Sequence, residues 1–136
     1  MTEPAGIVAY AWRGPLDSTE VEGLHAEAFE HASRAYDWRA QIDRYSLGWV
    51  TAREGGLLLG FVNLAWDGGS HAFLLDLMVA SLARRRSIGR ALVTHATTHA
   101  RAAGCEWLHA DFEPGLWDFY FSACSFSSTA AGLIKL

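Results

Sequence analysis

The segment from residue 71 to residue 112 constrains the fold more than any other part of this sequence. The apolar run 71–80 predicts a strand, and the alanine-rich run 88–103 predicts a helix that ends at the glycine cap Gly104. Residues 107–112 then predict a second strand. A strand, a helix and a strand in this order favour two parallel neighbours, because such crossovers are almost always right-handed and return to the same sheet.

The rest of the chain predicts strands and helices that surround this unit. In chain order they are strand 7–12, a helix capped by Asp17 or Ser18, helix 38–45, strands 47–53 and 57–65, and then, after residue 112, helix 116–124 and strand 130–136. Gly55 and Gly56 predict a hairpin turn between the second and third strands. The order β-α-α-β-β-β-α-β-α-β predicts an α/β fold with a mixed sheet, and residues 1–136 have the length of a single domain.

Composition excludes several classes of function. The formal charge of -4 argues against a nucleic-acid-binding protein, because affinity for phosphate backbones requires a basic surface. The apolar runs are strand-sized and shorter than the roughly 20 residues of a membrane span. The start, residues 1–4, lacks a basic leader, and the two cysteines form no metal-binding motif, so we expect a cytoplasmic protein.

Four of the eleven positive charges lie within seven residues, as Arg84, Arg85, Arg86 and Arg90. They fall where the first turn of a predicted helix leaves backbone amides unpaired and the helix dipole is positive. Ser87 and Gly89 are small enough to let an anion approach those amides. The cluster therefore predicts a phosphate-binding loop, with an ordinary solvated charge run as the alternative.

This loop resembles the pyrophosphate-binding segment of the GCN5-related N-acetyltransferase (GNAT) superfamily. The signature of that family is Arg/Gln-x-x-Gly-x-Gly/Ala, and Arg84, Ser87 and Gly89 stand on its three positions. Ser87 replaces the central glycine, and Arg85 stands where a glycine often follows the first arginine. The resemblance extends to Gly60-Phe61-Val62, to Ala100-Arg101-x-x-Gly104-x-x-x-Leu108, and to Leu116-x-x-x-Tyr120 with Cys124-Ser125-Phe126, where Ser125 replaces a glycine.

The resemblance implies a GNAT-like fold that transfers an acetyl group from acetyl-CoA to an amine. It implies that the backbone of residues 86–89 and the side chains of the flanking arginines hold the pyrophosphate; the loop residues are Arg84, Arg85, Arg86, Ser87, Ile88, Gly89 and Arg90. It also implies that the pantetheine arm pairs like an added strand with Leu77, Met78 and Val79. An amide of Met78 or Val79 would then polarise the thioester carbonyl.

Attack by the amine requires a group that accepts its proton. Asp76 is the first candidate base, because it interrupts the apolar run 73–79 and stands where the family often has an acidic residue. A hydrogen-bonded strand aspartate with a structural role is an equal alternative. Glu113 and Asp111, after the following strand, are the next candidates, and each could also be a solvated loop carboxylate.

Tyr120 is the candidate general acid for the departing CoA thiolate, since a phenol is protonated at neutral pH. The run Phe119-Tyr120-Phe121 leaves open whether Tyr120 or Phe121 occupies the tyrosine position of the family, and core packing is the alternative role.

The histidines do not predict a metal site. His95 and His99 have the i, i+4 spacing of zinc-binding helices, but the intervening glutamate and a third ligand are missing, and the other histidines have no evident partners. The main alternative function is a catalytically weak CoA-binding module. The sequence leaves open whether the acceptor is a small molecule or a peptide, and whether the chain dimerises through a sheet edge or its C-terminal strand.

Overall fold

The computed structural model describes residues 6–136, so residues 1–4, considered above for a leader, lie outside the described part. A five-stranded sheet has the order β1-β2-β3-β4-β5, antiparallel from β1 to β4 and parallel between β4 and β5. This confirms the predicted mixed sheet. The main elements are β1 Ala9–Trp12, α1 Ser18–Ala28, α2 Trp38–Tyr45, β2 Ser46–Glu54, β3 Leu57–Trp66, β4 His71–Val79, α3 Ile88–Ala102 and β5 Trp107–His109.

The helices cover both faces of the sheet. Tyr10 and Trp12 of β1 stack on His95 and His99 of α3, with ring centroids 5.1 and 4.1 Å apart. Trp12 pairs with Val50 of β2, so the adjacent residue Trp49 points to the opposite face. There its ring lies under the guanidinium of Arg39 of α2, at 5.5 Å. Helices α1 and α2 therefore cover one face and α3 covers the other.

The helix starts follow local signals that the sequence displays. The carboxylate of Asp17 accepts a hydrogen bond of 2.8 Å from the Glu20 amide, and the side chain of Glu20 accepts one from the Asp17 amide. This capping box makes Asp17, rather than Ser18, the N-cap of α1. Asp37 caps α2 in a similar way through the Ala40 amide, at 3.0 Å.

The C-terminal quarter differs from the sequence-based expectation. Predicted helix 116–124 is instead a 3-10 turn, Pro114–Leu116, followed by a π-helical segment, Asp118–Ala123. The amide of Cys124 donates to the carbonyl of Phe119, a five-residue step. The wider turn accommodates consecutive aromatic residues, because Tyr120 packs into an aromatic cluster while its neighbour Phe119 lies against α3.

The predicted strand 130–136 is absent from the described chain: residues 127–136 form no helix or strand, and Leu133 and Ile134 are 83% and 87% exposed. A strand is stable only when a neighbour pairs with it. β5 offers little for pairing, since it ends at His109 and not at the predicted residue 112. The chain leaves the sheet because Phe112 turns to stack on Tyr120, at 4.1 Å.

Among the helices of residues 6–136, none combines the length and apolar character that crossing a membrane requires.

Candidate functional site

β4 and β5 are joined only at their beginnings, which leaves a gap in the sheet. The parallel ladder pairs His71, Ala72 and Phe73 with residues 107–109, and β4 then continues to Val79 with no ladder partner on that side in the described chain. The backbone groups along this edge can pair with an extended ligand. The edge includes the predicted cofactor-binding residues, of which Met78 is buried and Leu77 and Val79 are half-buried.

A β-bulge interrupts β4 beside this open edge. Phe61 lies opposite Met78 and Asn63 lies opposite Leu75, so two β4 residues, at 76 and 77, face the single β3 residue between them. Asp76 takes the left-handed backbone conformation, with φ +54°, which non-glycine residues adopt rarely. The carboxylate of Asp76 faces α1, where its Oδ1 lies 3.7 Å from Nε2 of His25.

The surroundings of Asp76 suit a group that exchanges protons. Burial raises the pKa of its carboxyl above 3.8, while His25 and the Asn63 side chain lower it to a smaller extent. The Asp76 side chain is still 24% exposed, so a ligand or water can reach it. A carboxylate with a raised pKa is a better base near neutral pH than a solvated one.

The arginine loop forms a strained turn at the start of α3. Ser87 is the N-cap residue with φ +59°, and Arg85 has φ +65°. Alternation of ordinary and left-handed residues turns successive amides inward and creates a concave anion site. Ile88 is buried and anchors the helix start. Gly89 is tightly packed, because an added Cβ would lie 3.2 Å from the Phe119 ring and would require that ring to shift slightly.

The arginine side chains of this loop fall into two groups. Arg86 forms an ion pair with Glu54 at the end of β2, which directs its guanidinium toward the β2–β3 hairpin. Within residues 6–136, Arg84, Arg85 and Arg90 are exposed and have no ion-pair partner, so three guanidinium groups remain available to an anion beside the α3 amides.

Tyr120 is buried, with 6% of its surface exposed, in a cluster of aromatic rings. Its ring stacks on Phe112 and meets Phe126 edge to face at 5.5 Å. Burial and, to a smaller extent, the neighbouring Cys124 and Asp111 raise the pKa of Tyr120 to about 12. The phenol therefore stays protonated at physiological pH, as a general acid must.

Tyr120 lies beside the first turn of α3. Cys124 influences the pKa of Tyr120, and Arg90 in turn lowers the pKa of Cys124 against the larger effect of burial. Phe119, the preceding residue, contacts Gly89. The candidate acid and the arginine loop thus belong to one region of the molecule.

The other candidates are placed less favourably. Glu113 and Asp111 are exposed between β5 and the 3-10 turn, and neither side chain has a hydrogen-bond or ion-pair partner in the described chain. Phe121 packs edge to face against Trp117 and Phe112, with ring centroids 5.9 and 5.3 Å away. Tyr120, and not Phe121, contacts both Phe112 and Phe126.

Four residues that sequence reasoning missed surround Asp76 or lie behind it: Glu22, His25, His31 and Asn63. Glu22 and His25 are three residues apart on α1 and therefore share a helix face. This spacing is the one feature of the sequence that indicates that the two side chains lie close together. The other four histidines lie away from Asp76. Nδ1 of His71 and Nε2 of His109 are 2.7 Å apart, and His95 and His99 stack on aromatic residues of β1. A cavity of about 420 Å³ between α1 and the loop that leads to α2 includes none of the predicted site residues.

Comparisons with known proteins find one family model and several solved structures with the same fold. The model of the acetyltransferase (GNAT) family matches residues 11–126. A GNAT family acetyltransferase from Streptococcus pneumoniae superposes with a TM-score of 0.78 at 20% identity, over 96% of this chain and 98% of that one. An acetyltransferase from Trypanosoma brucei gives 0.79 at 15% identity, over 96% and 100%. An aminoglycoside N-acetyltransferase solved with CoA gives 0.72 at 18%, over 98% and 97%. No curated protein matches the chain.

Proposed function

The chain belongs to the GNAT acetyltransferase family, and we propose that it transfers an acetyl group from acetyl-CoA to a primary amine by direct attack on the thioester. One observation carries this proposal. The open edge of β4 leads to the arginine-bearing N-terminus of α3, so an extended, amide-containing arm and its anionic end would each find a matching surface.

The residues present fit such a cosubstrate. The amides of residues 86–89 and the guanidinium groups of Arg84, Arg85 and Arg90 would hold the pyrophosphate. Arg86 would contribute its amide only, because its side chain pairs with Glu54. The backbone of Leu77, Met78 and Val79 would pair with the arm and polarise the carbonyl.

Bound acetyl-CoA supplies the activated acetyl group, and the chain supplies the proton transfers. Asp76, aimed from the bulge toward α1, would accept the proton of the acceptor amine. Tyr120 would donate a proton to the departing thiolate, since its raised pKa keeps the phenol protonated. Glu113, exposed in the loop after β5, is a second candidate base.

The acceptor is an amine on a small molecule or a peptide. The CoA-bound neighbour is an aminoglycoside N-acetyltransferase, and at 18% identity that substrate does not transfer to this chain. A catalytically weak CoA-binding module is the second candidate function. It is favoured by Ser87 and Ser125, which add side chains where the family has glycines.

Release of free thiol from acetyl-CoA in the presence of a panel of amines tests the proposal. We expect turnover on at least one amine, and CoA binding detectable by calorimetry. Binding of CoA without turnover on any amine would favour the binding module. Absence of CoA binding would contradict both functions, and circular dichroism of the same sample would show whether the chain is folded.

A further inference from the structure

Two histidines lie in line behind the Asp76 carboxylate. Nε2 of His25 faces Asp76 at 3.7 Å, and Nδ1 of His25 is within hydrogen-bonding distance of Nε2 of His31. Nδ1 of His31 contacts the carbonyl of Ala32 at 2.7 Å and lies 4.0 Å from the Glu22 carboxylate. The His25 side chain is 17% exposed and that of His31 is 29% exposed, so the row leads from the bulge toward solvent.

For two neutral imidazoles, the contacts fix which nitrogens carry protons. A carbonyl oxygen only accepts hydrogen bonds, so Nδ1 of His31 must be the protonated nitrogen that donates to Ala32. Nε2 of neutral His31 is then an acceptor, and Nδ1 of His25 must donate to it. His25 is left with a free lone pair on Nε2, and that lone pair faces Asp76.

The surroundings hold His25 in this orientation. The rings of Phe29 and Trp38 pack against its imidazole, with centroids 4.6 and 5.0 Å away. Glu22 fixes the loop that carries His31, because its buried carboxylate accepts hydrogen bonds from the amide of Arg34, at 2.9 Å, and from Nε1 of Trp38, at 3.0 Å.

We propose that His25 and His31 form a proton relay that carries the proton of the acceptor amine from Asp76 to solvent. The inference rests on the proposed function. Both histidines act through Asp76, which is the group that meets the acceptor amine. The ammonium loses one proton to the carboxylate, which passes it to Nε2 of His25. The Nδ1 proton of His25 then moves to Nε2 of His31, and the Nδ1 proton of His31 passes from its hydrogen bond with the Ala32 carbonyl to solvent water. Each transfer breaks one bond to hydrogen and forms another, and proton exchange with water returns each neutral ring to its Nδ1-protonated form before the next turnover.

The charges around His25 agree with this role. The groups that face it are Asp76 from β4, His31 and Arg34 from the loop after α1, and Glu22 from its own helix. Burial lowers the pKa of His25 below its ordinary 6.5 more than Asp76 raises it. His25 is therefore neutral near pH 7 and able to accept a proton.

Substitution of His25 by Gln tests the relay through the pH profile. We expect kcat to fall about a hundredfold, which is within the contribution of general acid–base catalysis, while KM for acetyl-CoA stays unchanged. The fall of kcat below pH 6.5 in the natural chain should disappear in His25→Gln. His31→Gln keeps an oxygen acceptor for His25 but cannot pass the proton on. It should therefore also lower kcat, while it retains the acid limb because His25 is still present. Added imidazole should partly restore His25→Ala.

His95→Gln, on the opposite face of the sheet, is the matched control and should leave the profile unchanged. NMR of the imidazole nitrogens gives a readout that does not depend on turnover: both histidines should carry their proton on Nδ1 at pH 7. A proton on Nε2 of His25, or full activity with an unchanged profile in His25→Gln, would overturn the relay and leave the proposed function intact. A natural chain that binds CoA but acetylates no amine would contradict the proposed function and the relay together.

Discussion

At the scale of single residues, the chain has non-glycine residues at three positions where its family often has glycine, and the backbone at these positions shares one feature. Arg85, Ser87 and Ser125 stand at three such positions, and all three have left-handed φ values of +65°, +59° and +63°. Glycine adopts this conformation without steric cost, whereas other residues are strained by it. All three residues therefore adopt a backbone conformation that glycine would adopt without strain.

Ser87→Gly and Ser125→Gly should each stabilise the fold. The relief of a left-handed residue outweighs the added freedom of the unfolded chain, so we expect a gain of about 0.5–1 kcal/mol in unfolding free energy. Chemical denaturation measures this directly. Ser122→Gly, in the π-helical segment that precedes Ser125, provides the control. It should lower the unfolding free energy, because the φ of Ser122 is not positive and glycine weakens a helical segment. Loss of stability in both glycine variants would show that the two serines make compensating interactions.

Tyr120→Phe separates chemistry from binding at the same scale. The substitution keeps the ring stacked on Phe112 but removes the phenol proton, so kcat should fall by about tenfold or more with little change in the affinity for CoA. Initial rates of thiol release and calorimetry give the two quantities. Tyr45→Phe, at an exposed tyrosine on α2, should change neither. Equal turnover in Tyr120→Phe would remove the general-acid role and leave core packing as the role of this residue.

At the scale of elements, the first turn of α3 should bind anions through some arginines and not others. Arg84→Ala and Arg90→Ala should each raise KM for acetyl-CoA roughly five- to tenfold, with a smaller effect at high salt, because they remove charge-assisted hydrogen bonds. Arg86→Ala should have a smaller effect, since Arg86 pairs with Glu54.

Arg101→Ala serves as the control for these variants, because it removes the same charge from the other end of α3. KM measured at two ionic strengths provides the comparison. An effect of Arg86→Ala as large as that of Arg84→Ala would mean that the ion pair with Glu54 opens when the cosubstrate binds.

Comparison of the helices and strands shows which parts of the fold could be predicted from local sequence signals. α2 begins and ends as predicted, because the Asp37 cap and the helical pattern are contained in nine neighbouring residues. The π-helical turn around Tyr120 and the missing strand 130–136 depend on distant partners, namely the ring of Phe112 and a neighbouring edge strand that is too short. No local pattern reports such contacts.

The candidate site divides in the same way. Asp76 could be predicted because a charge interrupts an apolar strand, and the arginine loop because its spacing matches a known signature. The bulge at Asp76 and the partner His25, which comes from a helix 51 residues earlier, follow only from how α1 packs on the sheet. Their assembly is a property of tertiary structure.

At the scale of the whole molecule, Glu22 joins α1, the following loop and α2 on one face of the sheet. The hydrogen bond from the Arg34 side chain has the largest effect on the pKa of Glu22. Together with the hydrogen bond from Trp38 it lowers this pKa to about 2, although burial acts in the opposite direction. A carboxyl whose pKa falls on folding stabilises the native state above its unfolded pKa, here 4.5, and loses that contribution as pH falls toward 2.

Glu22→Gln should therefore lower the unfolding free energy at pH 7 and flatten its decline between pH 4.5 and pH 2. Urea unfolding at several pH values measures both effects, and Glu106→Gln, at an exposed site between α3 and β5, should reproduce the natural curve. Because Glu22 also holds the loop that carries His31, Glu22→Gln should weaken acetyl transfer at temperatures where the chain is still folded. An unchanged acid slope in Glu22→Gln would mean that other carboxylates dominate acid unfolding, and that the three elements are held together by their apolar contacts.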